Sequence, residues 1–133
     1  MRISKLILKR YGQFNEKVLA FEKAEHDFHV ITGPNEAGKS TIKQSISDLF
    51  YGWVSGNKTT AAYQSGSNNV RVGAEIEESE SKFTFLRKTG HGKNILDPQG
   101  KPMIDGEQRL DQFLNGCTKT QFENSFSIKY EEL

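Results

Sequence analysis

The residues best equipped for chemistry lie in one nine-residue run, Gly33-Pro34-Asn35-Glu36-Ala37-Gly38-Lys39-Ser40-Thr41. The spacing is GxxxxGKS, the pattern of a phosphate-binding loop, and each residue type answers a physical need. Glycine at 33 and 38 has no Cβ and tolerates positive φ, so the N–H groups of the loop can turn inward and close on a β-phosphate. Lys39 supplies a point charge between the β- and γ-phosphates. The Ser40 hydroxyl can ligate Mg²⁺, and Thr41 is placed to hydrogen-bond the α-phosphate. The implied ligand is a nucleoside triphosphate, ATP with Mg²⁺.

Such a loop works only between a strand and a helix. Before it, Phe28 to Thr32 is a short apolar, β-branched run that reads as a buried strand feeding the loop. After it, Ile42, Ile46, Leu49, Phe50 and Trp53 recur at helical spacing, so a helix of three to four turns should begin at Lys39 and add its positive end to the anion site. Gly52 should fray its end.

The remaining elements follow from periodicity. Arg2 to Lys9 reads as a strand paired with Val18 to Phe21, and alternation in Val70, Val72, Ala74, Ile76, Phe83 and Phe85 reads as a half-buried hairpin with an acidic turn. Asn94 to Asp97 suggests one more short strand. Asp105 with Gln108, and Thr118 with Gln121, announce two short helices separated by Gly116. Residues 54–69 are rich in Ser, Gly, Asn and Thr without apolar period, and are expected to form an exposed insertion loop. The fold class expected is α/β, a mixed and largely antiparallel sheet with the phosphate-loop helix packed on it.

A second group of chemically apt residues is basic. Arg71, Arg87, Lys88, His91 and Lys93 gather on the hairpin and the turn after it, and Arg71, Arg87, Lys88 and Lys93 are candidate contacts for DNA phosphates, against the plainer reading of a solvated edge. His26, His29 and His91 have no companion cysteines and no HExxH spacing, which argues against a metal site built from side chains.

Composition restricts the rest. The 133 residues are 35% hydrophobic and 26% charged, ordinary for one globular core. With 18 Lys and Arg against 17 Asp and Glu the net charge is +1, so overall balance demands neither nucleic acid nor an acidic membrane. A single cysteine, Cys117, forms no internal disulfide, and no run has signal-peptide or membrane-spanning length. The expected compartment is the cytoplasm, with no membrane partner.

GPNEAGKST, together with ISKLILKRYGQFNEKVLAF, DLFYG, VRVGAEI, FLRKTGHGKN and FENSFSIKYEEL, resembles the amino-terminal ATPase segment of the SMC, RecF and SbcC group, and within it the YhaN-like ATPases. The likeness covers nearly the whole chain. It implies that 1–133 is the amino-terminal lobe of an ATPase head, completed by a carboxy-terminal lobe that carries Walker B and a signature motif, with a coiled coil between the two. It also implies ATP sandwiched against a second head, and a DNA-repair role beside a calcineurin-like nuclease. On this reading the chain is a fragment, with no catalytic residue of its own.

Glu131 and Glu132 follow FSIKY, which lacks the aspartate expected of a Walker B strand. Two departures stand out. Tyr130 takes the place of a Mg²⁺-directed glutamine, and Gly12 takes the place of an arginine that approaches the phosphates, for which Lys9 or Arg10 could substitute. The alternatives are a nucleotide-dependent dimerisation switch without hydrolysis, the ATPase domain of an OLD-type nuclease, and a stand-alone phosphotransferase or GTPase, the last without an NKxD motif.

Overall fold

The computed structural model describes residues 1–34, 38–53, 70–89 and 94–125. Readings placed on Asn35 to Ala37, on 54–69, on His91 and Lys93, and on 126–133, which include Tyr130, Glu131 and Glu132, lie outside them.

Two hairpins supply most of the sheet. β1 (Arg2–Tyr11) and β2 (Phe14–Ala20) run antiparallel, with Tyr11 opposite Phe14. The turn is therefore Gly12-Gln13, and φ is positive at Gly12 (58°) but not at Gln13, the pattern of a type II′ turn whose first central position favours glycine. β3 (Arg71–Glu78) and β4 (Ser81–Lys88) pair with Val72 opposite Arg87, Ala74 opposite Phe85 and Ile76 opposite Phe83. A two-residue strand, β5 (Ile95–Leu96), completes the order β2-β1-β3-β4-β5, with every pairing antiparallel.

Side-chain alternation gives the sheet an apolar face. Leu6, Leu8, Tyr11, Val72, Ala74, Ile76, Phe83 and Phe85 are buried there, in one cluster with Ile42, Leu49 and Phe50 of helix α1 (Lys39–Tyr51) and Leu110 of α2 (Gly106–Leu114). Each large apolar side chain removed from water stabilises the fold by roughly 1.5–3 kcal/mol, so this cluster dominates it. The rings of Phe83 and Phe85 stack at 4.8 Å, and the Arg109 guanidinium lies 4.3 Å from the Phe83 centroid.

Helix ends follow local chemistry. α3 (Lys119–Ser125) begins with a reciprocal capping box, in which Gln121 N donates to Thr118 Oγ1 (3.2 Å) and Thr118 N donates to Gln121 Oε1 (2.9 Å). At α2 the Asp105 side chain makes no such bond. α1 ends at Gly52, whose φ of 75° reverses the chain while its N–H donates to the Asp48 carbonyl at 2.8 Å.

One expectation is overturned. Phe28 to Thr32 forms no strand and is not buried, with Phe28 86%, Val30 68% and Ile31 43% exposed. A run that is apolar on both faces belongs inside a sheet covered on both sides, and a strand exists only where neighbours take its backbone hydrogen bonds. None of the five strands pairs with it. No helix among the described residues is long and apolar enough to cross a membrane.

Candidate nucleotide site

The loop reaches α1 through Gly38, which has φ 93° and ψ 21° and serves as the N-cap without any side-chain cap. A residue with a Cβ is strained at that φ and would also collide here. A Cβ at Gly38 would stand 2.6 Å from Phe14 Cζ and 2.8 Å from Gln13 Nε2. The β1–β2 turn thus presses on the start of the helix and explains the glycine. Among the described residues of the loop, Gly38 takes positive φ and Gly33 does not.

The first intrahelical bond across the cap runs from Ile42 N to Gly38 O at 2.9 Å. By helix geometry the N–H groups of Lys39, Ser40 and Thr41 have no intrahelical acceptor, and they sit at the positive end of the macrodipole. Ser40 is exposed, and Lys39 and Thr41 are half-buried. Lys39 Nζ donates to the carbonyls of Gly33 and of Pro34, the latter at 3.0 Å. The ammonium thus rests on weak neutral acceptors that phosphate oxygens would replace with stronger, charged ones. These residues fit a polyphosphate with a divalent cation: backbone N–H groups, Lys39 and Thr41 for the phosphates, and the Ser40 hydroxyl for Mg²⁺.

The segment leading to the loop is anchored at its far end. The Arg2 guanidinium bonds Asp27, the Phe21 carbonyl and, at 2.9 Å, Glu77. Phe21 N donates to Ser4 O at 2.9 Å. The Ala24 N–H, followed by Arg2, holds the Asp27 carboxyl below its ordinary pKa. Residues 21–27 are thereby tied to β1 before the chain runs on to Gly33.

The sequence did not disclose what holds α1 in place. The Tyr11 hydroxyl donates to Asp48 Oδ2 at 2.5 Å and Gln44 Nε2 donates to Asp48 Oδ1 at 3.0 Å, with Tyr11 and Asp48 both buried. Burial raises the Asp48 pKa against these two hydrogen bonds, and burial also raises that of Tyr11. The available signal was an aspartate directly before Leu49, next to the apolar stripe. The other end of α1 is held by Arg87, where Nε donates to Leu49 O (2.7 Å) and a terminal nitrogen to Phe50 O (3.3 Å), while the fork also meets Glu107 at 2.7 and 3.2 Å.

The four candidate DNA contacts therefore separate. Arg87 is 4% exposed and committed to the C-terminal carbonyls of α1, which corrects its place on a basic surface: opposite Val72, it faces the core. Arg71 and Lys88 pair on the opposite face, and Lys93 lies outside the described residues. Lys9 lines a cleft on that same outer face and Arg10 is exposed opposite Arg71, so neither substitutes at the loop for an arginine at position 12. The side chain beside Gly38 is instead Gln13.

The chain is similar, at 27% identity over 135 residues, to the DNA double-strand break repair Rad50 ATPase of Methanocaldococcus jannaschii, an alignment that covers 96% of this chain and 13% of that protein. The chain therefore spans a small part of its curated relative's length. A family model described as an AAA domain matches residues 1–133, and the chain belongs to that AAA domain family.

Proposed function

We propose that this chain is the Mg-ATP-binding lobe of a DNA-repair-type ATPase of the SMC, RecF and SbcC kind, YhaN-like within it. The observation that carries the reading is the uncapped N-terminus of α1. Its left-handed glycine, its first-turn N–H groups without an intrahelical acceptor and the Lys39 ammonium beside the Gly33 and Pro34 carbonyls are the groups that would engage a triphosphate. The likeness to the Rad50 ATPase supports the repair role.

In this reading the lobe binds and does not turn over. Bound Mg²⁺ would neutralise charge on the phosphates during hydrolysis, but a second acidic ligand and a group to orient water are also needed. The exposed Phe28 to Thr32 run supports completion by a carboxy-terminal lobe, since the strand expected there needs neighbours that this sheet does not offer. A second head would then close over the nucleotide, in a cytoplasmic complex that includes a calcineurin-like nuclease. A hydrolysis-deficient dimerisation switch and an OLD-type nuclease domain share the same loop and differ only in what completes it.

The test is a titration of the chain with a fluorescent ATP analogue and Mg²⁺ beside Lys39→Ala, with turnover recorded in the same samples. Binding that is lost in the variant, with negligible turnover, is the expected outcome. Robust turnover by the chain alone would rule out an incomplete head, and absence of binding would rule out nucleotide capture by this lobe.

A further inference from the structure

We infer that Phe14 is a positioning residue of the phosphate loop: its ring fills the space that a Cβ would take at Gly38, and so holds the start of α1 in the left-handed conformation from which the first-turn N–H groups engage a triphosphate. The ring acts through Gly38 and not on the ligand. The inference rests on the nucleotide reading above only for what the helix start binds.

Glycine by itself does not hold this geometry. A residue without a Cβ populates positive and negative φ about equally, so a glycine fixed at φ 93° and ψ 21° is selected by what surrounds it. No side-chain hydrogen bond caps this end of α1. What stands against Gly38 is the Phe14 ring, with Cζ and Cε2 at 2.6 and 2.9 Å from the point a Cβ would occupy, and the Gln13 amide at 2.8 Å. The two differ in firmness. Gln13 is exposed and its amide is the far end of a flexible side chain, whereas the Phe14 ring is half-buried and packed against the core cluster. The ring is therefore the fixed wall.

That wall is anchored on the helix it braces. Phe14 stands opposite Tyr11 across the Gly12-Gln13 turn, and the Tyr11 hydroxyl donates to Asp48 in the third turn of α1. The contacts close a circuit from Gly38 to Phe14, Tyr11 and Asp48 and back along the helix. The far end of α1 is held independently, by Arg87 on the carbonyls of Leu49 and Phe50, roughly 15 Å along the axis from Lys39. Cutting back the ring should leave Gly38 in the competent conformation only part of the time, and affinity falls by that fraction whatever base the ligand carries.

The experiment compares the full chain with three variants. Phe14→Leu keeps an apolar side chain against the core but lacks the ring atoms that reach Gly38, Tyr11→Phe releases the anchor and keeps the ring, and Arg87→Met loosens the other end of α1. Dissociation constants are measured for Mg-ATP and for inorganic triphosphate with Mg²⁺, and amide hydrogen exchange is followed by NMR without ligand. Two amides report the two ends, Ile42 bonded to Gly38 O and Gly52 bonded to Asp48 O. In Phe14→Leu the Ile42 amide should exchange about five- to tenfold faster relative to Gly52, and both ligands should weaken by about that factor. Tyr11→Phe should act in the same direction by less. Arg87→Met should speed exchange at Gly52 and leave both affinities unchanged.

The inference is overturned if Phe14→Leu keeps the parent's exchange ratio, if it binds both ligands like the parent, or if it weakens ATP alone, which would make the ring a contact for base or sugar. It is also overturned if Arg87→Met costs as much affinity, since the effect would then be general loosening of α1. A parent chain that binds neither ligand sinks the nucleotide reading, and Ile42 exchange in Phe14→Leu then decides the brace by itself. Circular dichroism verifies that the variants are folded.

Discussion

The Tyr11 hydroxyl meets Asp48 Oδ2 across 2.5 Å inside the core, joining the last residue of β1 to the third turn of the helix whose first turn carries Lys39. The next residues after Tyr11 form the turn that presses on Gly38. One short stretch of chain thus holds α1 near its start and again three turns along.

Tyr11→Phe removes one donor from a buried carboxylate and leaves Gln44 as the other side-chain donor to it. An unsatisfied buried acceptor costs about 1–3 kcal/mol. Urea denaturation should show that loss at neutral pH. Tyr11→Phe and Asp48→Asn together should cost less than the sum of the two single changes, because they act on one interaction.

Asp48 should also leave a signature in pH dependence. Burial raises its folded pKa above the unfolded value, so the fold prefers the protonated form. Its contribution to stability is therefore fullest below the ordinary carboxylate range and declines as pH rises through the folded pKa. Asp27 and Glu75 act oppositely. The Ala24 N–H and Arg2 lower the pKa of Asp27, and the Ser4 hydroxyl and then Lys82 lower that of Glu75. Their contributions are present above the ordinary carboxylate range and are lost as pH falls through their lowered values. Asp48→Asn should thus gain stability relative to the parent as pH is raised from acid to neutral. A difference between them that stays flat with pH would contradict this account.

Arg87→Met should destabilise the chain by about 2–3 kcal/mol, the scale of losing charge-assisted hydrogen bonds to buried carbonyls. Glu107→Gln should cost less than about 1 kcal/mol, because its carboxylate is exposed and the pair is screened. Thermal melts of the two variants separate these roles. Equal losses would mean that the ion pair, and not the cap on α1, is what Arg87 supplies.

Gly38→Ala combines a strained φ of 93° with a collision at Phe14 and Gln13. Backbone strain of this kind costs about 1–3 kcal/mol. Phe14→Ala would relieve the collision with the ring but leave that with Gln13 and the strain, so the double variant should not recover nucleotide binding. Full recovery of nucleotide binding would show that the left-handed cap is dispensable.

The helix from Lys39 was legible from local order alone, because Ile42, Leu49 and Phe50 share one helical stripe. The β3–β4 hairpin and the Thr118–Gln121 capping box were legible for the same reason, since alternation and capping act over a few residues. Tertiary structure decided what depends on partners far along the chain. Phe28 to Thr32 has strand chemistry but no strand beside it, so it stays exposed. Arg87 and Lys88 are adjacent and equally basic, yet the pleat sends one under α1 and the other to the outer cleft. Asp48 is one more polar helix residue until Tyr11, 37 positions earlier, is brought to it. Residue type and spacing determine which chemistry a side chain can do, and strand pairing determines which side of the sheet it does it on.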